Sequence, residues 1–172
     1  MVRLLRGRRG FTLTEVLATA TLIAGLGGST AFVNIKDKAQ QEVCLQHLKT
    51  IGQALAMLDL QSQPLPKACF YPKSPTAADS LAKLMEGKIQ AQAFLCPCAP
   101  LKLREYKVTY VYNSSLSGKM MSQVPNASDT WVLTDLCVVD PKLPPTHSDG
   151  ANVLYADGQA RWVAARKLPK LK

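Results

Sequence analysis

The sequence predicts an α+β protein: a long N-terminal helix packed on a small antiparallel sheet. Three observations carry this expectation. An uncharged run from Val16 to Ile35 leads into an apolar stripe at helical spacing. After Tyr106, short runs alternate between apolar and polar residues. The last two of those runs are joined by Asp157-Gly158, residue types that suit a tight hairpin turn.

The helix comes first. The leader carries Arg3, Arg6, Arg8 and Arg9 and no acid. Arginines beside an apolar run stay on the cytoplasmic side of a membrane. Val16 to Ile35 spans 20 residues without a charge, and a helix of that length rises about 30 Å, the thickness of a hydrocarbon core. Gly25, Gly27, Gly28, Ser29 and three threonines dilute it. The run therefore reads as a helix able to sit in a bilayer and also to leave it for other helices. Glu15 is the exception in this region. An acid near a membrane segment costs on the order of 2.5–3.5 kcal/mol at a helix centre and less near an end, so it needs a compensating charge.

Beyond Ile35 the helix turns polar, then amphipathic. Cys44, Leu48, Ile51, Leu55 and Leu58 recur at spacings of four, three, four and three, which places them on one face. That stripe is expected to pack on the sheet. Pro64 and Pro66 end the helix near Leu60. The chain thus divides into a basic leader (1–10), a hydrophobic transmembrane or assembly helix (11–35), its amphipathic continuation (36–63) and a globular head (64–172).

Within the head, Ser74-Pro75 suggests an N-cap and first turn for a short helix containing Leu81, Leu84 and Met85 and stopped by Gly87. Four strands are expected. They are Tyr106 to Tyr112, Trp131 to Thr134 with a possible extension over Cys137 to Val139, Asn152 to Ala156, and Gln159 to Val163.

The chain has 172 residues and a net charge of +9. Without the four leader arginines it keeps 17 basic and 12 acidic side chains, a net +5. No long basic run survives, so a solvated surface is expected rather than a nucleic-acid interface. Cys44, Cys69, Cys96, Cys98 and Cys137 are odd in number, so at least one is unpaired within the chain. The sequence leaves their pairing open. Cys96-Pro97-Cys98 has one intervening residue, not the two of a redox motif or zinc knuckle, and Cys44 reads as a core residue. His47 reads as a surface helix residue.

Gly10-Phe11-Thr12-Leu13-Thr14-Glu15, set between arginines and an apolar run, resembles the cleavage and methylation motif of type IV prepilins and type II secretion pseudopilins. The resemblance covers about the first 60 residues. It implies cleavage between Gly10 and Phe11 by a membrane prepilin peptidase, methylation of Phe11, and Glu15 as the assembly glutamate. It further implies a pilin-like fold and a single-pass protein of the bacterial inner membrane, with its N-terminus cytoplasmic and its head extracytoplasmic. The partners implied are the peptidase, identical or related pilin subunits, inner-membrane assembly machinery and membrane lipid. Many relatives carry a proline within the apolar run, and this chain has none. His147, nine residues, then Asp157-Gly158 also resembles the C-terminal pattern of a prepilin-like family. The function implied is a subunit of a secretion pseudopilus or type IV pilus-like fibre, not an enzyme. Two alternatives stay open: a DNA-binding pilin of an uptake system, and a membrane-anchored binding protein that never polymerises.

The densest polar cluster of the head holds Asp135, Asp140, His147, Ser148, Asp149 and Gly150, with Asp157-Gly158 just after. Its plain reading is a hairpin whose Asx residues satisfy backbone groups. Its functional reading is a metal site, with Asp149, Asp157 and His147 as candidates and calcium as the ion that oxygen donors suit. A zinc hydrolase built on His147 would need further ligands nearby, and the only other histidine is His47. No cofactor is otherwise expected.

Overall fold

A computed structural model describes residues 13–139, 142–143, 146–147 and 149–168, with side chains from Ile35 onward. Gly10 and Phe11 lie outside the described residues, as do Asp140 and Ser148. Glu15 lies on described helical backbone, without a described side chain. Helix α1 runs over Leu13–Leu60, 48 residues. The chain forms two compact units, 1–36 and 37–172. Among the described residues no helix is long and apolar enough to cross a membrane.

The fold is α+β. Strands β1 (Tyr110–Tyr112), β2 (Trp131–Asp135), β3 (Gly150–Tyr155) and β4 (Ala160–Ala164) pair antiparallel in the order β1-β2-β3-β4. Sequential order with every neighbour antiparallel makes the sheet a meander. The expected stripe of α1 is fully realised, since Cys44, Leu48, Ile51, Leu55 and Leu58 are all buried. They share one core with Tyr110, Tyr112, Leu133 and Leu154 of the sheet. Gly52 lets the helix come close. A Cβ there would stand 2.7 Å from Leu154 Cδ1 and 3.0 Å from the Gly158 carbonyl oxygen. Gly158 itself has φ +79°, as the hairpin turn requires.

Strand period decides the second face. On β3, Asn152 and Leu154 face α1, while Val153 and Tyr155 point the other way. There they meet Val111 and Trp131, covered by Phe70, Tyr71, Leu136, Val163 and Leu168. An irregularity between Trp131 and Leu133 shifts the register of β2. Val132 and Leu133 consequently both join the α1-side core.

Three expectations need correction. The first strand begins at Tyr110, not Tyr106, because Pro100 precedes a short helix α3 (Leu101–Glu105) and Lys107 turns the chain at φ +59°. Cys137 to Val139 does not extend β2. Tyr110 pairs with Asp135 and the Leu136 N–H still donates to the Thr109 carbonyl at 3.0 Å, but Leu136–Val138 then curls into a 3-10 turn. Finally, Ser74 caps no helix. Residues 74–79 form turns, tied by the Cys69 N–H donating to the Asp79 carbonyl at 2.9 Å, and helix α2 occupies Leu81–Leu84 with Ser80 before it.

Candidate functional site

The chemistry-bearing residues of the head converge between α1 and the strand ends, from four separate stretches of chain. Cys44 is the first residue of the α1 stripe, and its carbonyl accepts from the Tyr110 hydroxyl at 3.5 Å. Cys96 and Cys98 sit in the loop after the 3-10 turn Ala91–Phe94. The Cys96 N–H donates to Thr109 Oγ1 at 2.7 Å, which fixes that loop beside β1. Cys44 and Cys96 form a disulfide with a Cα–Cα distance of 5.1 Å. Cys98 is a free, half-buried thiol donating to Gln40 Oε1 of α1 at 4.0 Å.

His147 completes the group from the approach to β3. It bridges to Gly150, and its carbonyl accepts from the Trp162 indole N–H at 3.1 Å. Its ring is buried. Nε2 lies 3.4 Å from Cys96 Sγ and 3.4 Å from Asp135 Oδ2. Burial works against a charged imidazole here, but the Asp135 carboxylate and Cys98 outweigh it and raise the His147 pKa to about 9. Asp135 ends β2, and its Oδ2 also accepts the Asn152 N–H at 2.9 Å.

Among the described residues, three buried polar atoms of this region have no hydrogen-bond partner: His147 Nδ1, Asp135 Oδ1 and Asn152 Oδ1. Orphans of this kind are rare in folded proteins and often mark a functional site. One donor atom from each of Cys44, Cys96, Cys98 and His147 lies within 4.8 Å of the other three. With the disulfide closed, the arrangement is a covalent tie between helix and loop, flanked by a thiol and an imidazole–carboxylate pair.

The residues expected to form an oxygen-rich site are not assembled. Asp149 is exposed at the start of β3, where its carbonyl accepts the Ala165 N–H at 2.7 Å. Asp157 lies past the other end of the same strand, so the six residues of β3 separate the two. Its Oδ1 accepts the Gln159 N–H at 2.9 Å, and its Oδ2 pairs with Arg161. Asp157 thus performs the turn-capping task of an Asx residue. His147 turns instead to the sulfurs. His47 is only half-exposed, and its Nδ1 lies 2.9 Å from the Leu95 carbonyl oxygen.

Cys69 and Cys137 stand apart as free thiols, both raised in pKa by burial first. Thr146 Oγ1 lies 2.9 Å from Cys137 Sγ. The roles of Cys44 and Asp135 were missed by sequence reasoning. The available signals were a cysteine at the head of a core stripe and a carboxylate closing a buried strand.

Comparison with protein-family models, curated proteins and solved structures finds no match to this chain.

Proposed function

We propose that the chain is a filament-forming subunit of the pilin and pseudopilin class. It is cut between Gly10 and Phe11, methylated on Phe11, and assembled through its N-terminal helix into a secretion pseudopilus or type IV pilus-like fibre. In this reading Glu15 neutralises the new α-ammonium of a neighbouring subunit. The subunit enters the inner membrane with its head outside. The observation that carries the reading is the 48-residue α1, whose last turns hold the buried stripe of the head. The Cys44–Cys96 disulfide adds support, since disulfides persist in oxidising compartments outside the cytoplasm.

The test is the intact mass and N-terminal residue of the membrane-extracted protein. The expected result is a chain starting at Phe11 and one methyl group heavier than its sequence. A Met1 start, or cleavage downstream of Ile35, removes the reading. Glu15→Ala is expected to be processed normally and to fail to enter filaments. Normal filament incorporation of that variant would instead favour an anchored protein that does not use this acid for assembly.

A further inference from the structure

We propose that Cys44, Cys96, Cys98 and His147 form a Cys3His site for a zinc ion, and that the Cys44–Cys96 disulfide and the metal are alternative occupants of it. The inference rests only on residues of the head and is independent of filament assembly.

A disulfide needs two sulfurs, yet this one is met by a third sulfur and an imidazole. The donors come from α1, from the 96–98 loop and from the approach to β3, and all four lie within 4.8 Å of one another. Zinc with sulfur at about 2.3 Å and nitrogen at about 2.0–2.1 Å in a tetrahedron sets neighbouring ligand atoms roughly 3.5–3.8 Å apart. Cys96 Sγ and His147 Nε2 are already at 3.4 Å. Three sulfurs and one imidazole suit zinc rather than calcium or magnesium, whose ligands are oxygen.

The surroundings also fit a metal. Asp135 Oδ2 stands 3.4 Å from His147 Nε2, the nitrogen that also faces Cys96 Sγ, and so places a negative charge on the metal side of the imidazole; it is itself held by the Asn152 N–H. Among the described residues His147 Nδ1 has no hydrogen-bond partner although it is buried. The local backbone is secured on each side, by Thr109 at Cys96 and by Trp162 at His147. Asp135 is not one of the four clustered donors, and its carboxylate adds a charge beside them that favours a cation.

Passage between the two states balances as follows. A dithiol reductant gives two electrons and two protons to the Cys44–Cys96 bond and becomes a disulfide itself. Zinc then displaces to solvent the thiol protons of Cys44, Cys96 and Cys98 and one ring proton of His147, which ligates as neutral imidazole.

The test uses the full chain, purified in detergent, either oxidised or reduced with a dithiol under anaerobic conditions. Each sample is exposed to Zn2+, washed with a weak chelator and assayed for metal per chain. The reduced chain is expected to keep one zinc and the oxidised chain none. Co2+ in the reduced chain is expected to give the intense visible bands of tetrahedral, sulfur-ligated cobalt. Cys98→Ser and His147→Gln are expected to lose stoichiometric zinc. Both retain the Cys44–Cys96 pair, so their folding is checked by circular dichroism in the oxidised state. Asp135→Asn removes a negative charge beside the ion and is expected to weaken zinc less than loss of either ligand does. Cys137→Ser, outside the cluster, is expected to bind as the parent does. A reduced parent chain that retains no stoichiometric zinc, folded or unfolded, overturns the proposal. So does zinc binding unchanged in both Cys98→Ser and His147→Gln. Processing at Gly10 is unaffected by either result, so this test and that of the proposed function fail separately.

Discussion

The two faces of the sheet are covered by different means. One face receives the long stripe of α1, flanked by residues such as Leu81, Met85 and Phe94, and the Cys44–Cys96 disulfide ties that helix to the neighbouring loop. The other receives pieces of loop, chiefly Phe70, Tyr71, Leu136 and Leu168, around Val111, Trp131, Val153 and Tyr155. Phe70 meets Trp131 edge-on at 6.3 Å, and the Arg161 guanidinium lies 5.1 Å over the Tyr155 ring. The difference teaches where stability is concentrated. A helix brings many apolar residues at the ordering cost of one element, whereas separate loops must each be ordered for a few contacts. The α1 face is expected to dominate stability and the loop face to tolerate change.

The largest effect expected follows from opening the disulfide in metal-free solution. Its cysteines are 52 residues apart, and chain-entropy arguments assign a loop of that size about 4 kcal/mol. Urea unfolding with and without reductant, in the presence of a chelator, reads this directly. A loss below about 1 kcal/mol would mean that the tie contributes little to the α1 face.

Next come paired truncations. Leu48 and Val153 are both fully buried, one on each face. Leu48→Ala is expected to cost about 3 kcal/mol, within the usual span for such changes. Val153→Ala removes fewer methyl groups and is expected to cost about half as much. Equal losses by urea unfolding would erase the asymmetry between the faces.

Gly52→Ala sharpens the comparison at one atom. Alanine favours a helix over glycine by about 1 kcal/mol. The added methyl would however meet Leu154 Cδ1 and the Gly158 carbonyl, and overpacking costs roughly 1–3 kcal/mol. A net destabilisation of about 1 kcal/mol is expected. A raised urea midpoint would show that the helix does not press on the hairpin.

The smallest effect appears in alkali. Burial raises the Tyr112 phenol to about 12, and its hydroxyl donates to the Pro66 carbonyl at 3.1 Å. Unfolded tyrosine titrates near 10. A pKa raised by folding stabilises fully below pH 10 and is lost as pH climbs toward 12. Roughly 1 kcal/mol should disappear by pH 11. Tyr112→Phe is expected to show a correspondingly shallower fall between pH 9 and pH 11. An identical fall in both proteins would assign the alkaline loss to other groups, such as Tyr110 on the same face.

Features with a local period could be read directly from the residues. The stripe from Cys44 to Leu58, the Asp157-Gly158 turn and the cores of all four strands needed only spacing and turn chemistry, and each stands in the structure. The late start of β1 and the 3-10 turn after Asp135 depend on which strand lies alongside, and no window of sequence contains that information. Of the candidate site, His147 was singled out for the wrong company. Its expected partners Asp149 and Asp157 are close in sequence but lie beyond opposite ends of β3.

The residues alone determined a long helix with one buried face and a set of short antiparallel strands, and they carry a resemblance to the prepilin motif around Gly10, Phe11 and Glu15. Tertiary structure decided which of five cysteines meet, and that His147 and Asp135 join them. The physical reason is separation along the chain. Period and turn signals act over a few residues, whereas Cys44, Cys96, Asp135 and His147 become neighbours only when α1 is laid across the finished sheet.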